Sequence, residues 1–229
     1  MSNKPAGLSH DALWPRAGGW PAPDEIAPGK RIDAALVGIP ASQTSLSATN
    51  AHETPDAIRA ALYRYSPALM QDRGVLDKNL RNDPAIIDLE ELTVADFGNV
   101  SDPDSPAGEA RTIALMADAA KASELVIALG GDNSITVAAA LGVWGSDLET
   151  AGLITLDAHH DLRDGISNGS PVRRLIEAGL DPKRIVQIGI NDFSNSASYA
   201  QLASDLGITV ISREMVAEIG IKEACNIAL

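Results

Sequence analysis

Residues 153–163, with the sequence Leu-Ile-Thr-Leu-Asp-Ala-His-His-Asp-Leu-Arg, combine an apolar run with three side chains that could bind a metal ion. The first four residues are typical of a buried strand. Alternate side chains of an extended segment share a face, so Asp157, His159 and Asp161 should point to one side and His160 to the other. Carboxylate oxygens and an imidazole nitrogen suit a divalent cation such as Mn(II), Fe(II), Ni(II) or Zn(II). The spacing favours a hydrolytic metal site at the carboxyl end of a sheet strand.

Simpler interpretations of the same residues remain open. An aspartate that follows a strand often caps the next helix, and adjacent histidines can be solvated residues of a loop. The metal interpretation therefore depends on what other segments bring to the same place.

A second polar turn follows the predicted strand at residues 125–129, with the sequence Gly130-Gly131-Asp132-Asn133-Ser134 before a helix. It could cradle a phosphate, but the dinucleotide-binding and P-loop patterns are both absent. Its polar residues could cap the helix. Alternatively, Asn133 could lie beside the residues that follow the next strand and act as a further ligand. Spacing alone favours capping.

Strands and helices alternate along the chain. Short apolar runs predict strands, and Ser, Thr or Pro before apolar residues at helical spacing predicts helices. The predicted strands cover residues 32–39, 86–89, 93–97, 125–129, 153–156, 185–190 and 208–211. The predicted helices cover about 54–65, 108–123, 135–144, 171–179, 197–206 and 213–229, the last interrupted at Gly220. This alternation predicts an α/β fold with a mainly parallel sheet and helices on both of its faces.

Two segments are predicted to lack regular structure. Residues 1–28 carry five of the thirteen prolines, and Trp14 and Trp20 should hold this segment onto the domain or onto a neighbouring subunit. Residues 41–51, rich in Ser and Thr, form either a mobile loop over a site or a long connection.

Composition limits the possible partners. The 229 residues show no break in composition and predict one domain, residues 1–229. A net charge of -13, from 18 basic and 31 acidic residues, repels nucleic acid and anionic membrane surfaces. The single cysteine, Cys225, is typical of a reducing compartment, and residues 1–28 contain no apolar run that predicts a signal peptide or a membrane span. We therefore expect a cytoplasmic protein.

These motifs resemble those of the arginase and agmatinase superfamily of ureohydrolases over nearly the whole chain. Gly130-Gly-Asp-Asn-Ser134 is similar to the family's Gly-Gly-Asp-His-Ser, and Asp157-Ala-His-His-Asp161 matches its Asp-Ala-His-x-Asp. Asn168-Gly-Ser-Pro-Val-Arg-Arg174 and Asp192-Phe-Ser-Asn-Ser196 are more similar to the formimidoylglutamases of histidine degradation than to the arginases.

The resemblance implies a three-layer α/β/α sandwich and a hydrolase that uses two Mn(II) ions to activate water against the carbon of a linear amidine or guanidine. By motif, Asp157 would bridge the metals, while His159 and Asp161 would each bind one of them. Asp161 would also be the catalytic residue that passes a proton to the leaving nitrogen. Asn133 would be a further metal ligand. The resemblance also implies a homo-oligomer.

The resemblance further implies substrate contacts from Arg163, Asn168 and Ser170. A guanidinium at position 163 can hold a carboxylate through two parallel hydrogen bonds, which suits formimidoylglutamate. The alternative is that Arg163 forms a salt bridge with Asp164 or Glu177.

Three departures from the family pattern bear on activity. Asn133 stands where most members have a histidine ligand, and Asn168 stands where arginases have a histidine. The family's later Ser-x-Asp-x-Asp segment is missing, and no aspartate follows Asp205. We therefore expect a truncated chain, either a fragment or a shortened homologue, with an incomplete second metal site.

Three alternatives to formimidoylglutamate hydrolysis follow. The first is a ureohydrolase of the agmatinase or arginase type. The second is an inactive homologue that serves as an oligomer-forming subunit, which the two asparagines and the missing aspartates would favour. The third, a nucleotide-binding module, is weakened by the absent phosphate-loop patterns and by the negative charge.

Overall fold

The computed structural model describes residues 7–70, 86–88 and 91–229, and its first sheet is built around β1 (Ile32–Ile39). Strand β1 lies between two parallel neighbours, β4 (Val94–Asn99) and β5 (Ser123–Gly130). Seven of its eight residues are buried, as expected for an aliphatic central strand with both faces covered. The carboxyl ends of β1, β4 and β5 therefore lie on the same side of the sheet.

A second parallel sheet is built around β7 (Ile185–Ile190). Its neighbours are β6 (Leu153–Leu156) and β8 (Thr209–Ser212). A short antiparallel pair joins β2 (Ala68–Met70) to β3 (Ile86–Asp88). The strand predicted at residues 86–89 is thus present to Asp88, and Leu89 lies outside the described residues.

Within the described residues, five α-helices lie between strands and two follow β8, and most of them begin at the predicted signals. Ser105, Ser196 and Ser212 each accept a hydrogen bond from a first-turn amide, and prolines occupy the first turns of α1, α2 and α4. The helices are α1 (Thr54–Leu62), α2 (Pro106–Ala122), α3 (Ile135–Trp144), α4 (Pro171–Ala178), α5 (Ala197–Leu206), α6 (Arg213–Ile219) and α7 (Ile221–Ala228).

Helices cover both faces of the central strands. Ala35 and Val37 of β1 pack against Met116 and Ala119 of α2. On the opposite face of β1, a side chain at Gly38 would meet Arg59 of α1. In the second sheet, Ile185 of β7 packs with α4 and α5, and Ile188 packs with Ala224 of α7. The predicted α/β fold, with mainly parallel strands between layers of helices, is confirmed.

The outer edges of β5 and β6 are open within the described part of the chain. Each of these strands pairs on one side only, β5 with β1 and β6 with β7. Their apolar side chains are correspondingly exposed, with Leu125, Ile127, Ile154 and Leu156 between 41% and 71% accessible. These edges present unpaired backbone groups next to apolar surface.

Residues 7–28 run along the first sheet with little regular structure, as predicted. They contain one 3-10 turn, Pro23–Glu25. The amide of Ala17 donates to Tyr65 O, and Arg16 donates to Tyr63 O, so the segment is tied to the end of α1. Trp14 remains half exposed. No helix among the described residues is long and apolar enough to cross a membrane.

Candidate metal and substrate site

A cavity of about 420 Å³ opens where β6 ends and where the turn after β5 begins. It contains most of the predicted site residues. Parallel strands bring their carboxyl ends to one edge of a sheet, which is why segments far apart in sequence meet here. The predicted residues that line the cavity are Asn133, Asp157, His159, Asp161, Arg163 and Asn168.

The segment after β6 carries three of these residues in a fixed backbone conformation. The amide of Asp157 donates to Ile188 O, which extends the pairing of β6 with β7 by one residue. Asp157 Oδ1 accepts a hydrogen bond from the amide of His159 (2.8 Å) and lies 3.0 Å from His159 Nδ1. Asp161 has a φ of 56°, in the left-handed region that aspartate tolerates better than most residues. Asp157 and His159 therefore already lie side by side at the cavity.

Among the described residues, the buried carboxylate of Asp161 forms no salt bridge. Its Oδ2 accepts a hydrogen bond of 2.6 Å from Asn133 Nδ2. Burial and the negative charge of Asp157 raise the pKa of Asp161 to about 7, against smaller lowering effects from the Asn133 hydrogen bond and from His159. A cation between the two carboxylates would remove this penalty, and the carboxylate and imidazole donors suit a hard or borderline divalent ion. The donor set therefore fits a metal such as Mn(II).

The candidate metal ligands line one cavity, but their donor atoms do not surround a common point. Among the described residues, no group of three or more His, Cys, Asp and Glu side chains is placed to hold an ion. Asn133 turns its amide nitrogen toward Asp161, while its Oδ1 accepts a hydrogen bond from Thr136 Oγ1 (2.8 Å). Ligation through the Asn133 oxygen would require the amide to rotate and to give up both bonds. Its role as a ligand remains a prediction.

The turn before α3 is held by the side chain of Asp132. Ser134, the residue that precedes α3, makes no side-chain capping bond. Asp132 is buried, accepts hydrogen bonds from the amide and the hydroxyl of Ser134, and binds the hydroxyl of Ser45. Of the polar residues in this turn, Asp132 therefore takes the capping role that the spacing favoured, and it also links the turn to the segment after β1.

The two adjacent histidines have opposite surroundings, as the alternation predicts. The side chain of His159 is largely exposed beside Asp157, whereas His160 is buried and bonded to Gln187 of β7. Sequence reasoning did not single out Gln187. The one available signal was a polar residue inside the apolar run of β7.

Arg163 is an unpaired cation at the cavity. Among the described residues, no hydrogen bond or salt bridge of its guanidinium is found, and its side chain runs along the backbone of Gly169. The two acids considered as alternative partners, Asp164 and Glu177, are both bound by Arg173 instead, at 2.7 and 3.4 Å. The alternative in which Arg163 forms a salt bridge with one of these acids is therefore wrong, and its guanidinium remains available to a ligand.

The two other predicted substrate contacts differ in position. Asn168 lines the cavity, and its Oδ1 accepts a hydrogen bond from the amide of Leu46 (3.1 Å). Ser170 is fully buried, and its hydroxyl donates to Ser167 O (2.9 Å) while accepting from Ser167 N (3.0 Å). The structure thus brings Asn168 to the cavity and places Ser170 behind it, where it stabilises the turn before α4.

The segment at residues 41–51 is anchored to the site. The amides of Ser42 and Gln43 donate to Asp104 at 3.1 and 3.0 Å, and Thr44 O accepts from the amide of Asn168. Leu46 lines the cavity with its side chain exposed. Of the two interpretations of this segment, a connection held at several points describes it better than a freely mobile loop.

The fold and the site together define an α/β protein with a carboxylate and imidazole cluster where parallel strands end. Residues 32–229 match the model of the arginase family. The chain therefore belongs to the arginase family.

Several relatives resemble this chain over most of its length. A formimidoylglutamase of Halalkalibacterium halodurans is 34% identical over 198 residues, which are 82% of this chain and 58% of that protein. The crystal structure of formimidoylglutamase from Bacillus subtilis covers 98% of this chain and 70% of that chain, with a TM-score of 0.77 and 25% identity. A Trypanosoma cruzi formiminoglutamase solved with Mn2+ covers 86% and 67%, with a TM-score of 0.69 and 20% identity. The chain spans less than three fifths of the length of the curated relative named here.

Proposed function

We propose that this chain belongs to a manganese-dependent hydrolase of linear amidines, with formimidoylglutamate as substrate and glutamate and formamide as products. One observation carries the proposal. The cavity that holds the buried carboxylate Asp161 also holds the unpaired guanidinium of Arg163. A site for a cation and a site for a carboxylate therefore lie in one cavity. The formimidoylglutamase relatives support the choice of substrate.

Arg163 and Asn168 are the proposed substrate contacts. Formimidoylglutamate carries two carboxylates, and a guanidinium binds a carboxylate through two charge-assisted hydrogen bonds. The amide oxygen of Asn168 is occupied by Leu46 N, which leaves its NH2 group as the donor for substrate. A cavity of about 420 Å³ lies within the range of small-molecule sites.

Asp157, His159 and Asp161, with Asn133, would hold the metal. Two Mn(II) ions, expected from the family, would supply charge that activates water at neutral pH and stabilises the transition state. Arginase-family structures solved with Mn2+ support this choice of metal. The donor atoms of these residues are carboxylate and amide oxygens and an imidazole nitrogen, which such an ion accepts.

Asp161 is the proposed catalytic residue. In the hydrolysis, water adds to the formimidoyl carbon, the bond from this carbon to the glutamate nitrogen breaks, and the nitrogen leaves with a proton. As a buried carboxylate on the wall of the cavity, Asp161 would hold that proton and hand it to the leaving nitrogen. Leu162 and Asp161, which are both buried, form part of the inner wall of the cavity.

A substrate panel with arginine variants tests this proposal. We expect formamide release from formimidoylglutamate and much slower reaction of agmatine, which has no carboxylate for Arg163. Arg163→Ala should raise KM by roughly 10-fold or more, corresponding to the loss of a charge-assisted pair, while Mn(II) binding stays unchanged. Arg163→Lys should recover part of the loss. Arg213→Ala, which removes an exposed arginine outside the cavity, is the matched control.

The outcomes separate the alternatives. Agmatine or arginine as the preferred substrate would replace the formimidoylglutamase assignment with an agmatinase or arginase type. The metal content after Mn(II) reconstitution and desalting, measured by elemental analysis, tests the inactive-homologue alternative. About two ions per chain agrees with the hydrolase, and a ratio near zero contradicts it.

We also propose a cytoplasmic homo-oligomer. The single cysteine Cys225 supports a reducing compartment. The exposed apolar side chains on β5 and β6 support association. Sedimentation velocity over a range of concentrations would measure the assembly.

A further inference from the structure

Gln187 is a polar side chain where the fold calls for an apolar one. It lies in the middle of β7, whose other residues are isoleucine, valine and glycine, and it is 0% exposed. An amide buried without hydrogen bonds costs several kcal/mol, so its polar atoms must be satisfied nearby. Where those bonds go indicates what the residue does.

Both polar ends of Gln187 are bonded to a single residue of the segment after β6. Gln187 Oε1 lies 2.7 Å from His160 Nδ1, and Gln187 Nε2 donates to His160 O at 2.9 Å. Because Nε2 is the donor to a carbonyl, Oε1 is the acceptor, and His160 must carry its proton on Nδ1. This pair of bonds fixes the backbone carbonyl and the ring of His160 together.

A second side-chain amide holds the same segment from the other side. Asn195 Oδ1 accepts a hydrogen bond from His160 N at 3.0 Å, and Asn195 Nδ2 donates to Ala158 O at 2.8 Å. Asn195 Nδ2 also donates to Asn191 O at 3.0 Å, which ties it to the turn after β7. The backbone of residues 158 and 160 is thus bonded to the side chain of Gln187, within β7, and to that of Asn195, in the turn after β7.

We propose that Gln187 is a positioning residue for the metal site, acting through His160 with Asn195 as its partner. Asp157, His159 and Asp161 lie on the same short segment as Ala158 and His160, which bends at residues 158–159 and has a left-handed backbone at Asp161. The bonds that hold the backbone of residues 158 and 160 to Gln187 and Asn195 restrict the short stretch of backbone that carries these candidate ligands. The inference rests on the proposed metal site and extends it to Gln187, which lies outside the lining of the cavity, and to Asn195, which is part of that lining. Outer hydrogen bonds of this kind set ligand orientation and affinity in metal sites generally.

The pattern of bonds distinguishes this role from ordinary core packing. A buried glutamine needed only for the sheet would bond to its neighbouring strands, β6 or β8. Gln187 instead gives both of its polar ends to the segment that carries the candidate ligands. The paired residue on β6, Thr155, has a buried hydroxyl with no partner among the described residues, although it lies beside Gln187 in the sheet register.

The test compares three variants. Gln187→Met keeps the length of the side chain and removes both hydrogen bonds. Gln187→Glu keeps an acceptor for His160 Nδ1 and removes the donor to His160 O. Thr112→Val is the matched control, because it removes a buried hydrogen bond of 2.9 Å to Gly108 O in α2, away from the cavity.

Two measurements are made on the metal-free protein and one with Mn(II). In Gln187→Met we expect amide hydrogen exchange of His160 at least 10-fold faster, and loss of the protected Nδ1–H signal of His160 in nitrogen-15 NMR. Gln187→Glu should retain that signal. Mn(II) affinity should fall by roughly 10- to 100-fold in Gln187→Met, the range known for outer-shell partners of metal ligands. Thr112→Val should leave all three values unchanged.

Each outcome decides one question. Unchanged exchange and unchanged Mn(II) affinity in Gln187→Met overturn the positioning role, as does an equal loss in Thr112→Val at the same fall in melting temperature. If the parent chain binds no Mn(II), the proposed function fails. The exchange and NMR results on the metal-free protein then still decide whether Gln187 fixes the segment.

Discussion

The stability of the metal-free chain should fall as the pH rises from about 4 to 7, because of Asp161. In the native state the pKa of this carboxyl is raised from 3.8 to about 7, chiefly by burial and by Asp157. Between these values the native chain holds a proton that the unfolded chain has released, so rising pH favours unfolding. One pKa unit corresponds to about 1.4 kcal/mol, so the effect amounts to roughly 4 kcal/mol. In a chain of this length that is on the order of 10 °C in melting temperature.

The assay is urea unfolding of the parent and of Asp161→Asn in EDTA, at pH values from 4 to 8. Asparagine suits the position because it tolerates the left-handed φ of 56° and can still accept the hydrogen bond of Asn133. The parent should lose stability relative to this variant up to pH 7 and remain level above it. Asp118→Asn, at an exposed carboxylate of α2, is the control. A difference between parent and variant that does not change with pH would refute the reasoning.

Three further predictions concern the metal and the framework. Below pH 7, Mn(II) affinity by calorimetry should rise about 10-fold per pH unit, because binding displaces one proton from a buried carboxylate; a flat profile would contradict this. Arg59→Met should lower the free energy of unfolding in urea by about 3–5 kcal/mol, because the Asp96 carboxylate, which lies 2.7 and 2.8 Å from the guanidinium nitrogens, loses its buried partner. The control Arg31→Met, at an exposed pair, should lower it by under about 1 kcal/mol. Gly131→Ala should lower both stability and Mn(II) affinity, because the added Cβ would lie 2.2 Å from a backbone oxygen of the segment after β1, whereas Gly152→Ala has space for it.

The sequence predicts most of the elements because their signals are local. An aliphatic run such as β1 is buried on both faces in any parallel sheet, and a serine followed by helix formers starts α5 and α6. In β4, β8 and α2, the predicted first and last residues differ from the observed ones by a few residues at most. Helix and strand ends depend on the last hydrogen bonds, which tertiary contacts decide.

Pairings between distant charges are less predictable from the sequence. Asp164 and Glu177 are near Arg163 in sequence, but they bond to Arg173 because the first turn of α4 carries it toward both. Arg174, next to it, points elsewhere and binds Glu109 of α2 at 2.9 Å. Adjacent residues of a helix point about 100° apart, so sequence proximity alone does not select the partner. The orientation of the Asn133 amide depends on Thr136 and Asp161 together, which no single motif reveals.

The segment after β6 lines the cavity and is also bonded to the rest of the fold. Asp157, His159 and Asp161 line the cavity, and the backbone of Ala158 and His160 is bonded to the side chains of Gln187 and Asn195. If only the backbone hydrogen bonds of the sheet held this segment, the orientation of its side chains would be less restrained. Because Ala158 and His160 are bonded to Gln187 and Asn195, the fold restrains the backbone that also carries the candidate ligands. We therefore expect a polar residue inside an apolar strand next to a candidate ligand motif to be bonded to that motif, as Gln187 is here.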